Sequence, residues 1–213
     1  MSLVLCYSGC AANIFLRRPE RVLAAALEGL ALAEGASHAL WRVWSLIHHG
    51  WAVSQSDPGK GLAEMDAGIE ECRHIGARRL EPFHLSLAAE MRARAGDHKG
   101  AADAIGAAFE AMALTRNEAF ASELHRVRAL TVQLAGGPVQ SAETHFRRAL
   151  EVATRQGALA LQLRAARDLA GLLAGNSRGH EAEALLSPVV RQFSAAADTA
   201  DLREARTLLA DIT

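Results

Sequence analysis

The sequence predicts an all-α fold: an α-solenoid of about five helix–turn–helix repeats closed by one further helix. Three observations lead there. Alanine and leucine dominate, aromatic residues are 5% of the chain and there are only five prolines, a composition that loses little on entering helices. A small–large–small triplet recurs at i, i+4, i+7, one face of a helix. Chain breakers fall between and after these triplets at matching intervals.

The triplets are Val22/Ala26/Gly29, Gly61/Met65/Gly68, Ala101/Ile105/Ala108, Ala142/Phe146/Ala149 and Ala182/Leu186/Val189, and their first members lie 39, 40, 41 and 40 residues apart. That period accommodates two helices of about 15 residues and two turns. The small outer residues let a neighbouring helix approach, and the larger central one fills the gap. Gly35, Gly76 and Gly157 sit where the second helix of a unit closes. Arg18-Pro19, Asp57-Pro58-Gly59, Gly96-Asp97, Gly136-Gly137-Pro138 and Asn176-Ser177 separate the helices within a unit. Pro19, Pro58 and Pro138 fall near a first helical turn, where proline is tolerated.

These signals place helices at about 2–16, 19–34, 37–54, 58–75, 78–95, 98–114, 117–135, 138–156, 158–174, 179–194 and 199–211. They define a single repeat domain over 1–213. Its repeats are 1–35, 36–76, 77–115, 116–157 and 158–197, and 198–213 is a C-terminal cap. Asp201, Arg203, Glu204, Arg206 and Asp211 give that last helix a charged outer face, as the end of a solenoid requires. The first helix has no such cover. Its outer face is expected to be open, paired with another copy in a homodimer or with a preceding segment.

The formal net charge of −1 argues against a nucleic-acid binder, which needs a basic stripe. The apolar stretch 2–16 lacks preceding basic residues and is too short to span a bilayer, so it reads as a core helix. The three cysteines, Cys6, Cys10 and Cys72, show no C-x-x-C spacing. They read as small buried thiols of a cytoplasmic protein. The nine histidines include no H-E-x-x-H. His48 and His49 are adjacent and point apart on a helix, and His98 and His180 fall in turns, so no metal or other cofactor is expected. Asp57 to Gly61 lacks the first glycine and the hydroxyl residue of a phosphate-binding loop. No G-x-S-x-G occurs. The chain is read as no enzyme.

The segments AETHFRRALEVATRQGALALQLRAARDLAGLL (Ala142 to Leu173), EAEALLSPVVRQF (Glu181 to Phe193) and DTADLREARTLLADI (Asp198 to Ile212) resemble the C-terminal tetratricopeptide-like region of large bacterial regulators. Those regulators join a class III adenylate/guanylate cyclase domain, or a DNA-binding domain, to a P-loop ATPase and then a helical tail. ELHRVRALTVQLAG and GWAVSQSDPGKGLAEM are similar to preceding units of the same tail. The resemblance implies TPR-like repeats and a non-catalytic regulatory module that binds protein or peptide. A small-ligand sensor, of the kind found in ATPase-type transcription activators, is the alternative. It calls for a closed apolar pocket near Trp44 and Trp51.

In such stacks the first helix of each pair lines the concave side. That mapping puts Trp44, Trp51, Phe83, Ser86, Glu90, Arg94, Arg126, Gln133, Arg164 and Arg167 on a groove. Aromatic and Arg residues carry much of the binding energy at interfaces, and the four arginines would suit an acidic peptide.

Overall fold

A computed structural model describes residues 1, 4–34 and 38–212, with Glu34 described by its backbone alone. The expected cap Gly35, and the expected starts of the first and third helices at 2 and 37, lie outside the described residues. Eleven helices and no strand occur among the described residues. The chain packs as two compact units, residues 1–117 and 118–213.

Unit 1 holds α1 to α6. α1 is π-wound over Leu5–Ala11 and α-helical over Ala12–Phe15; α2 is Pro19–Glu34 and α3 is Ala39–Val53. α4 is Pro58–His74, α5 is Glu81–Arg94 after a 3-10 turn at Arg78–Leu80, and α6 is His98–Thr115. Unit 2 holds α7 (Ala121–Leu134), α8 (Val139–Arg155), α9 (Leu159–Ala174), α10 (Gly179–Val190) and α11 (Ala200–Ile212). Within each unit every helix packs on the next, and α1 on α3, α3 on α5, α7 on α9 and α9 on α11. This neighbour and next-neighbour packing is repeat-like.

The expected boundaries differ by three or more residues at three ends: α5 begins at 81 instead of 78 and α7 at 121 instead of 117, each behind a 3-10 turn, and α10 ends at 190 instead of 194. α10 stops at Val190 with Pro188 in its last turn, because proline offers no N–H to the preceding turn. His98 opens α6 and His180 lies in the first turn of α10, instead of in the connecting turns.

All fifteen triplet residues are buried. They lie on α2, α4, α6, α8 and α10, the second helix of each pair. The caps follow residue chemistry. Pro19 and Pro58 begin their helices. The Asp57 carboxylate accepts from the Lys60 N–H at 3.0 Å, and Asp97 accepts from the Gly100 N–H at 2.8 Å, the N-cap bond that satisfies an orphan donor. Gly76 and Gly157 take φ of 73° and 63° at their helix ends. Arg116 occupies the equivalent place after α6 at φ 50°, a conformation that costs an L-residue about 1 kcal/mol.

Met1, Val4 and Tyr7 are exposed. Cys6 and Cys10, four apart, both point inward. No helix of the described residues is long and apolar enough to cross a membrane.

Candidate functional site

The first helices of the pairs carry the residues mapped to a groove. In unit 1 those helices are α1, α3 and α5, and they meet through aromatic rings. Trp44 packs edge-on against Tyr7 at 5.8 Å, Trp41 at 5.4 Å and His84 at 6.2 Å between ring centroids. His84 meets His48 at 5.5 Å, and Phe83 stacks on Phe15 at 5.5 Å. Trp44, Trp51, Phe83, Ser86 and Glu90 are all buried. The Ser86 hydroxyl donates to the Phe83 carbonyl at 2.7 Å. These residues form a core and not an open surface. Large aromatic side chains on one face of a helix gain more from burial than from facing solvent. Arg94 alone of the unit 1 candidates is half-exposed, with its guanidinium on Glu90 at 2.8 Å.

Both ring nitrogens of His48, and Nε2 of His84, are buried without a hydrogen-bond partner. Burial therefore penalises the charged imidazolium. It pushes His48 down to about 4, and His84 well below the ordinary histidine value, with the neighbouring His48 adding to the effect. His49 turns the other way, with Nδ1 at 2.6 Å from Glu64. The thiols are also suppressed: burial pushes Cys10 up to about 12 and Cys72 up to about 11.

In unit 2 the first helices α7 and α9, together with α11, are joined by ion pairs. Arg126 is 1% exposed. Its guanidinium donates to Glu123 at 2.6 and 3.0 Å and to Asp168 of α9 at 2.9 Å. Arg164 reaches Glu123 at 3.1 Å and Asp201 at 4.0 Å. Arg167 donates to Asp168 at 2.5 Å, to Glu204 of α11 at 2.8 Å and to Asp201. Burial alone would raise the Asp168 carboxyl, but the guanidiniums of Arg167 and Arg126 hold it below its ordinary value.

This network revises two expectations. Arg126, Arg164 and Arg167 are not waiting for an acidic peptide, since carboxylates of the same chain already occupy their donors. Asp201 and Glu204 are not simply part of a solvated outer face, because both turn toward α9. One repeat apart, Arg126 and Arg167 each lie close in sequence to a carboxylate they bind, Glu123 and Asp168. That local pairing is the one signal that could have shown the charges to be internal.

Beside the network is a cleft of about 290 Å³, lined by Leu130 and Gln133 of α7, Arg167, Asp168, Gly171 and Leu172 of α9, and Glu204 and Leu208 of α11. Gln133 and Arg167 of the expected groove thus come together here, with partners that the mapping missed. A Cβ added at Gly171 would meet nothing within 4 Å. The glycine lies in the last turn of α9 and leaves helix backbone open on the floor of the cleft. A second hollow, of about 490 Å³, is lined by α8 alone through Arg147, Leu150, Glu151, Thr154 and Arg155. Among the described residues, no group of three or more His, Cys, Asp or Glu is placed to hold a metal ion.

No family model matches the chain. A segment of 122 residues, 57% of the chain, is 31% identical to an uncharacterized protein of Rhizobium meliloti. The match takes in 12% of that protein's length, so the chain corresponds to a small part of a much longer relative.

Proposed function

We propose that this chain is a non-catalytic protein-interaction module of tetratricopeptide-like repeats, comparable to the helical tail of a bacterial cyclase/ATPase signalling regulator. It works in the cytoplasm and receives its partner on the first-helix face of unit 2. The observation that carries this reading is the cleft over Gly171. Its walls come from three helices, and ion pairs hold those walls in register. A recognition surface of that kind loses little entropy on binding, because it does not have to be ordered first.

The small-ligand sensor reading is weaker. It calls for an enclosed pocket near Trp44 and Trp51, and both tryptophans are buried core residues.

The test is affinity capture from the native cell with wild type and with Gly171→Leu, which fills the cleft floor without touching the core. A protein retained by wild type and lost on the variant supports the reading. Identical retention by both sinks it.

A further inference from the structure

The chemistry of the cleft selects its occupant. Of the charged side chains that line the cleft, two are carboxylates, Asp168 and Glu204, and one is a guanidinium, Arg167. Their exposure differs as well: the Arg167 side chain is 12% exposed, whereas the Glu204 side chain is 49% exposed at the rim. An arriving group meets the Glu204 carboxylate before it meets Arg167.

The helix ends add to this. α7 ends at Leu134 and α9 at Ala174, so Gln133 and Gly171 lie in last turns, where the helix dipole is negative. At Gly171 no side chain stands between an occupant and that backbone. A glycine in a helix costs stability relative to alanine, and no neighbour within 4 Å requires one here. The remaining lining is apolar, from half-buried Leu130 and Leu208 and buried Leu172.

We infer that the cleft binds a basic–apolar peptide segment of a partner protein. Its Lys or Arg sits at the rim against Glu204 and the ends of α7 and α9. An adjoining aliphatic side chain lies over Gly171 between Leu130 and Leu208. The inference rests on the proposed interaction role and reverses the charge that the arginine-rich sequence implied.

The experiment uses the full chain and two fluorescein-labelled probes, a short leucine–lysine peptide and the same peptide with glutamate for every lysine. Fluorescence anisotropy is expected to show the lysine peptide binding and the glutamate peptide not. Gly171→Leu should weaken the lysine peptide at least about tenfold, and Glu204→Gln about fivefold, the loss expected for one exposed ion pair. Both variants keep Arg167 paired to Asp168 and Asp201, so circular dichroism should match wild type.

The inference is overturned if the glutamate peptide binds as well as the lysine peptide, if neither binds at millimolar concentration, or if Gly171→Leu leaves binding unchanged. In each of those cases the capture experiment still decides the broader reading: a protein lost on Gly171→Leu keeps the interaction role and discards only the basic–apolar partner.

Discussion

The same substitution, glycine to alanine, should stabilise this protein at position 171 and destabilise it at position 61. Both glycines are helical, Gly171 in α9 and Gly61 in α4. Alanine narrows the unfolded ensemble and favours helix, a gain of roughly 0.5–1 kcal/mol. At Gly171 the new methyl meets nothing within 4 Å, so the gain is unopposed. At Gly61 the methyl would fall on α3, on the Ser54 N and the Gly50 carbonyl and 2.5 Å from Ser54 Cα. Those atoms are backbone and cannot step aside, so α3 and α4 must separate. Overpacking of this kind costs about 1–3 kcal/mol, which exceeds the helical gain.

Urea denaturation read by two probes tests both. Trp41, Trp44 and Trp51 all lie in unit 1, so the fluorescence midpoint reports Gly61→Ala and should fall. The circular-dichroism transition should rise for Gly171→Ala, with a melting temperature about 2–4 °C higher per kcal/mol for a domain of this length. A lower stability for Gly171→Ala, or a shift of both variants in one direction, would refute the geometric argument.

Three further outcomes are expected. His48 has its folded value lowered to about 4 by burial, below the unfolded value of about 6.5. Its contribution is therefore complete above pH 6.5 and is lost as pH falls toward 4. One such shift amounts to about 3 kcal/mol, and His84 acts in the same direction. His48→Leu should be as stable as wild type at pH 7, since it removes unsatisfied buried nitrogens. Its urea midpoint should decline less between pH 7 and pH 5, and an unchanged decline would count against the buried-imidazole account. Arg126→Leu leaves Glu123 and Asp168 short of a buried cation, and should cost about 3–5 kcal/mol by denaturation; a loss under about 1 kcal/mol would mean that the network is solvated. The three free cysteines are buried, with Cys10 and Cys72 held protonated, so a thiol reagent at pH 8 should label the native protein slowly. Labelling should reach three thiols on unfolding, and fast labelling of folded protein would contradict the packing of α1 or α4.

The two halves of the fold problem were not equally readable. Ala142, Phe146 and Ala149 could be identified as a buried stripe because helical spacing alone puts them on one face, and burial of that face follows from their size and polarity. Asp57-Pro58-Gly59 and Gly96-Asp97 could be read as breaks between helices because proline and glycine punctuate a chain locally. The charges behaved otherwise. Arg126, Arg164 and Arg167 fall on the face that the repeat mapping assigned to them, yet they serve the chain itself. Two of the carboxylates that hold them, Asp201 and Glu204, come from a helix more than thirty residues later in sequence. Trp44, Trp51 and Phe83 fall on the mapped face too. There the first helices of unit 1 pack closely enough to bury them.

The sequence by itself determined the helices, their pairing period and the stripe that packs them, since each of those depends on local spacing and side-chain size. The tertiary structure decided which groups remain open to a partner. It turned an arginine-rich face into a neutralised network with a carboxylate at its rim. It also separated Gly61, pressed against the backbone of α3, from Gly171, which faces open space, because contact across helices depends on distances that no spacing along the chain encodes.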